Sequence, residues 1–127
     1  MHEITVRHEF CAAHSIRIAG IEEPVHGHNW RVCAAVSADK LDSDGLVCDF
    51  HSVHAMLLEI VAPFENRSLN EVDPFDKRNP TAELLAEHIA TRLHEELGGA
   101  LGPHARVAWV SVTEAPGCEA RYYLTRD

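Results

Sequence analysis

The chain has 127 residues, a formal net charge of −9, 24% charged and 46% hydrophobic residues, proportions that fit one globular domain spanning 1–127. An acidic balance excludes a general binder of nucleic acid or of anionic membrane, since both need a positive field. No apolar run approaches the ~18 residues of a membrane span, and Met1-His2-Glu3-Ile4-Thr5 lacks the basic and apolar regions of a secretory signal, so a cytoplasmic location is expected.

Residues 3–14 alternate, with Ile4, Val6 and Phe10 on one face and Thr5, Arg7 and Glu9 on the other, which predicts a strand. A loop carrying Gly20 and Pro24 follows. A second strand is predicted over 28–38, with Trp30, Val32, Ala34 and Val36 on one face. Asp42-Ser43-Asp44-Gly45 is a turn signal. A helix begins near Asp49, which can cap it, and Phe50, Val53, Leu57, Ile60 and Val61 form its stripe up to Pro63. Residues 64–79 read as an irregular connection rich in Asn, Asp and Pro. A second helix spans about 80–97, buries Leu85, Ile89, Leu93 and Leu97, and stops at Gly98-Gly99. Residues 105–114 and 118–125 are two further strands joined by the Pro116-Gly117 turn. The order β-β-α-α-β-β predicts an α+β domain: a four-stranded antiparallel sheet with both helices on one face. Such a sheet has two edges, which a ring-like homo-oligomer would pair.

The four cysteines, Cys11, Cys33, Cys48 and Cys118, are widely spaced and form no C-x-x-C pair. They are expected to be reduced, buried small hydrophobes. Ten histidines are unusual for this length. His26-Gly27-His28 opens a strand, where residues i and i+2 share a face. Both imidazoles can then reach one metal, with His14 at the end of the neighbouring strand as a third ligand. Three nitrogen ligands with one position open is the layout of a catalytic zinc site. The bland alternative is surface or hydrogen-bonded histidines, because two-residue patterns arise by chance. His51 and His54, three apart at a helix start, lack a third ligand and are read as ordinary surface residues.

Several segments resemble one family. Phe10-Cys11-Ala12-Ala13-His14 resembles the F-x-A-A-H motif of the 6-pyruvoyl- and 6-carboxy-tetrahydropterin synthases. His26-Gly27-His28-Asn29-Trp30 is similar to their H-G-H-N-[YF], and Gly45-Leu46-Val47-Cys48-Asp49-Phe50 to their G-[ML]-[VL]-x-D-F. Pro80-Thr81-Ala82-Glu83 is similar to P-T-x-E, and Val110-Ser111-Val112-Thr113-Glu114 to V-x-V-x-E. The resemblance implies the tunnelling T-fold, Zn²⁺ on His14, His26 and His28, and a homohexamer of two stacked trimeric barrels with pockets between subunits. It also implies a pterin ligand whose 2-amino-pyrimidinone edge is held by Glu83 and Glu114. A carboxylate suits two parallel N–H donors. Thr81 and Thr113, beside the two glutamates, offer hydroxyls.

The resemblance breaks at the proton relay. The family's C-x-x-x-H-G-H cysteine corresponds to Glu22, and its Asp-His pair in D-H-x-x-L-N corresponds to Glu65-Asn66. Asparagine cannot take a proton at neutral pH. Cys11, three residues before His14, faces away from that ligand along a strand and is expected to be a buried structural thiol. The chain is therefore expected to bind Zn²⁺ and a pterin-like small molecule while the standard synthase reaction is absent or slow. One alternative is a lyase: a branch of the family with E-x-x-x-H-G-H is associated with cleaving the side chain of 7,8-dihydroneopterin triphosphate, and Glu22 would be its base. The other is a histidine-rich metal-binding domain without pterin.

Overall fold

A computed structural model describes residues 1–124. Alternation of apolar and polar residues gives a long strand β1 (His2–His14). A two-residue turn, Ala19-Gly20, joins two short strands β2 (Arg17–Ile18) and β3 (Ile21–Glu22). Both turn residues have positive φ, 53° and 80°, the backbone of a tight hairpin turn whose twist matches its strands. Strand β4 (His26–Ala38) runs back along β1. Helix α1 (Phe50–Val61) follows, capped by Asp49, whose carboxylate accepts from the His51 N–H at 2.8 Å. A single turn of 3-10 helix (Ala62–Phe64), the short strand β5 (Arg67–Ser68) and a second such turn (Leu69–Glu71) lead to α2 (Ala82–Leu97). Strands β6 (Ala105–Ala115) and β7 (Cys118–Tyr123) close the chain around Gly117, at φ 82°. Residue 125, the expected end of the last strand, lies outside the described residues.

The sheet order is β5-β1-β4-β6-β7. The four long strands are antiparallel, and β5 adds a two-residue parallel edge against Ala12 and Ala13. This is the expected α+β architecture, with β5 and the β2–β3 hairpin as additions in segments read as loops. Val6, Phe10, Trp30, Val32, Val110 and Val112 from the sheet pack in one core with Val53, Leu57, Ile60 and Val61 of α1 and Leu85, Ile89 and Leu93 of α2. Among the described residues no helix is long and apolar enough to cross a membrane.

Two expectations need correction. Phe50 is 53% exposed: as the first helical residue it precedes the part of α1 that meets the core, which starts at Val53. Cys11 and Cys118 are exposed rather than buried. Alternation along β1 turns Cys11 away from the face that carries Phe10 and Ala12 into the core, and Cys118 starts β7 directly after the exposed turn.

The irregular connection is tied to the segment that follows β1 by two asparagines. Asn70 accepts from the Ser15 N–H and donates to the Ser15 carbonyl, both at 2.8 Å. Asn79 does the same to Arg17, at 2.9 Å each way. Each amide side chain substitutes for a strand neighbour and satisfies backbone groups that would otherwise cost free energy.

Candidate metal centre

Antiparallel register sets His14 directly opposite His26 and Ala12 opposite His28. The period of two along a strand then points all three imidazoles to one face. Their ring centroids are 4.7 Å (His14–His26), 5.0 Å (His14–His28) and 4.7 Å (His26–His28) apart. Trp30 packs edge-on against His14 and His28 as the floor, its indole N–H donating to the Ala12 carbonyl at 3.0 Å.

Backbone carbonyls orient two of the rings. His14 Nδ1 lies 2.8 Å from the Pro80 oxygen, and His26 Nδ1 lies 2.9 Å from the Pro24 oxygen. A carbonyl only accepts, so each Nδ1 carries the proton, and in its neutral form each ring turns a bare Nε2 lone pair inward. Those two Nε2 atoms are 3.2 Å apart. Glu114, from β6, places Oε1 3.0 Å from His14 Nε2 and 3.4 Å from His28 Nε2. The latter approach lacks hydrogen-bond geometry, and His28 Nε2 is buried without a hydrogen-bond partner.

One ligand atom from each of His14, His26, His28 and Glu114 lies within 4.8 Å of the others. Lone pairs turned on one another repel unless a positive centre sits among them. A divalent metal fits this donor set: imidazole nitrogen and carboxylate oxygen both bind zinc-like cations. Burial holds the His28 pKa below its ordinary value, against the opposing pull of the Glu114 charge, and His14 and His26 push the same way as burial. His28 therefore stays neutral at physiological pH, the state that ligates metal.

The structure distributes the other sequence candidates more widely. Glu83, in the exposed first turn of α2, shares a cleft of about 300 Å³ with Glu114, Cys118 and Arg121. Thr81 is the N-cap of α2, its hydroxyl accepting from the Leu84 N–H at 3.1 Å. Thr113 points away from Glu114, into a separate groove with Arg31, Ser111 and Arg121. Glu22 is exposed, with Oε1 3.4 Å from the Ser15 hydroxyl.

Its neighbour Glu23, outside the motif positions, is a second carboxylate beside the histidines. Glu23 Oε1 is 3.6 Å from His26 Nε2 and accepts from the Ile16 N–H at 3.2 Å. The backbone of Glu23 is itself fixed by its N–H to the Ile16 carbonyl at 3.0 Å. The available signal was the spacing Glu23-Pro24-Val25-His26, one residue tighter than the pattern followed from Glu22.

The relay positions Glu65 and Asn66 sit on another side of the centre. Cys11, Asn29, Asn66 and Arg67 line a cleft of about 520 Å³ that His28 also reaches. Glu65 Oε2 accepts from the Cys11 N–H at 3.0 Å, and the Asn66 N–H donates to the Cys11 carbonyl at 2.7 Å. Cys11 Sγ is spent on Asn29 Oδ1, 2.8 Å away.

Comparison with known proteins gives a consistent result. A sequence profile of the family described as 6-pyruvoyl tetrahydropterin synthase matches residues 3–125. A protein provisionally named 6-carboxy-5,6,7,8-tetrahydropterin synthase in Archaeoglobus fulgidus is 34% identical over 93 residues, covering 73% of this chain and 76% of the relative. A 6-carboxy-5,6,7,8-tetrahydropterin synthase of Rickettsia felis is 28% identical over 139 residues, covering 93% and 97%. The solved 6-pyruvoyl tetrahydropterin synthase of Plasmodium vivax superposes with a TM-score of 0.81 at 20% identity, over 98% of each chain. A variant of that enzyme, in which a glutamate described as a catalytic residue is replaced by alanine, gives 0.80 at 20% identity, over 98% of each chain.

Proposed function

The chain belongs to the 6-pyruvoyl tetrahydropterin synthase family, and from that premise we propose that it is a Zn²⁺-dependent protein that binds a reduced pterin and runs the standard synthase reaction slowly or not at all. The observation that carries this reading is the convergence of His14, His26 and His28 on one point, with carbonyls orienting the first two rings, beside a cleft lined by Glu83 and Glu114. When bound, Zn²⁺ supplies the Lewis acidity that lets a base at neutral pH remove a hydroxyl proton. The protein's own groups divide the remaining work. Glu83 and Glu114 offer carboxylate oxygens to the paired N–H donors of the pyrimidinone edge. Trp30 and the buried ring of His14 exclude water from beneath the centre. The family's cysteine and Asp-His pair are replaced by Glu22 and Glu65-Asn66, and the Glu65 and Asn66 contacts above are structural bonds to Cys11. We assign the protein to a homohexamer, in which a neighbouring subunit completes the cleft.

A second reading has its own support. Glu23 holds a carboxylate 3.6 Å from His26 Nε2, and a glutamate is described as a catalytic residue in the Plasmodium vivax enzyme. On this reading the protein is a lyase that cleaves the side chain of a dihydroneopterin, with a carboxylate of the Glu22-Glu23 pair as the base. Glu23 is the better placed, because the Ile16 N–H fixes its oxygen at the centre while Glu22 is exposed.

One experiment separates these readings. Zinc-loaded protein is incubated with a panel of dihydropterins, with and without triphosphate, and bound and altered species are identified by mass spectrometry. Retention of an unaltered pterin supports the binding reading, and release of a 6-hydroxymethyl product supports the lyase. If no pterin is retained or altered, the pterin assignment fails.

A further inference from the structure

Glu114 stands in two places at once. Its Oε1 reaches His14 and His28 at 3.0 and 3.4 Å, and the same side chain lines the cleft shared with Glu83 and Arg121. A carboxylate used only to hold a ring edge has no reason to turn an oxygen on two imidazole nitrogens. Hydrogen bonding does not explain the His28 approach, because that Nε2 has no hydrogen-bond partner. The His14 approach meets a nitrogen whose ring already donates from Nδ1 to Pro80, so in the neutral ring two acceptors face each other. A cation shared by the oxygen and the three nitrogens accounts for both approaches, and carboxylate oxygen is an ordinary fourth donor to zinc.

We infer that Glu114 is an exchangeable metal ligand: it completes a four-donor set around the cation while the cleft is empty, and swings onto the N–H pair of a pterin when the cleft fills. This rests on the metal centre and pterin cleft proposed above. A closed set of four protein donors is the structural kind of zinc site, whereas three donors with an open position is the catalytic kind. A paired N–H edge claims a lone pair on each oxygen of a carboxylate, so the ring and the cation compete for Glu114. Arrival of the ligand therefore opens the centre, and an idle protein keeps it closed. The exchange is reciprocal: a ring that captures Glu114 loosens the cation by the factor by which the cation weakens ring binding.

The test uses the full chain loaded with Co²⁺, whose visible absorption reports ligand number and geometry, together with Zn²⁺ affinity from chelator competition. The probe is unsubstituted pterin, which has the ring edge and no side-chain oxygens. Glu114→Ala and the better-packed Glu114→Gln are each expected to weaken Zn²⁺ at least tenfold and to shift the Co²⁺ spectrum. Adding pterin to the wild-type protein should shift its spectrum toward that of the variants and leave theirs unchanged. Wild-type Zn²⁺ affinity and spectrum in both folded variants, or a wild-type spectrum indifferent to saturating pterin, overturns the exchange alone. Failure of the wild-type chain to bind metal, or binding that survives His28→Ala, overturns the metal centre and the exchange with it.

Discussion

The Pro80 carbonyl oxygen and His14 Nδ1 lie 2.8 Å apart across 66 residues of chain. The residue that feeds α2 thereby sets the tautomer of a ligand at the end of β1. Thr81, next in sequence, caps α2 through its hydroxyl, so the cap and the carbonyl are one local structure. Thr81→Ala should cost about 1 kcal/mol of stability as a lost cap. Because the carbonyl then loses its fixed place, Zn²⁺ affinity should fall about tenfold, the low end for loss of an orienting partner. Thermal unfolding and chelator competition measure the two effects. A variant with lowered pterin affinity and unchanged Zn²⁺ affinity would instead return Thr81 to ligand binding.

The histidine site was legible because a strand has a period of two and its neighbour's register is set by a short connection. His26, His28 and His14 needed only those facts. Glu114 was legible as a candidate site residue but not as a neighbour of the imidazoles, since sequence spacing carries no information on which β6 side chain reaches across β4. Thr113 lines a different groove from Glu114 for the related reason that adjacent strand residues face opposite sides. Asn70 and Asn79, which fasten the connection to Ser15 and Arg17, looked like ordinary loop residues, because pairing between side chain and backbone across 55 and 62 residues leaves no local pattern. The β2–β3 hairpin escaped notice because Ala19 takes a positive φ that usually belongs to Asn or Gly.

Glu22 and Glu23 are neighbours with different prospects. Glu23 Oε1 is held by the Ile16 N–H within 3.6 Å of His26, while Glu22 is exposed beside the Ser15 hydroxyl. If the protein cleaves a dihydropterin side chain, Glu23→Gln should lower the rate by about a hundredfold or more, the usual worth of a general base. Zinc content should not change, and Glu22→Gln should stay within a few-fold of the wild type. Product formation followed by chromatography decides it, and the opposite ranking would restore Glu22 as the base.

Asn66 bears on the standard reaction. Its backbone is held at φ 59° by the bond to the Cys11 carbonyl, and its amide has no proton to relay at neutral pH. Glu65 is engaged with the Cys11 N–H. Conversion of dihydroneopterin triphosphate to a carboxy or pyruvoyl product should therefore run at least about a hundredfold slower than in a relative that keeps the Asp-His pair, assayed side by side. A rate within a few-fold of that relative would show that the relay is dispensable or supplied by other groups.

His88 connects the connection segment to acid stability. Its ring, on α2, packs edge-on against Phe64 and Phe75, with centroids 5.7 Å from each. Burial pushes its pKa below the ordinary value; Arg92 and Arg78 act in the same direction, and Asp73 and Glu95 oppose them. The unfolded chain therefore binds a proton at His88 more readily than the native chain does. Stability from this residue is complete above the unfolded pKa of about 6.5 and declines as pH falls below it toward the native pKa. His88→Gln removes the titration while leaving a side chain of similar reach. Urea unfolding at about pH 7.5 and about pH 5.5 should show a smaller acid loss in the variant than in the wild type. The two proteins differ only at residue 88, so the difference in slope isolates His88. Equal slopes would mean that its ring is already solvated in the native state.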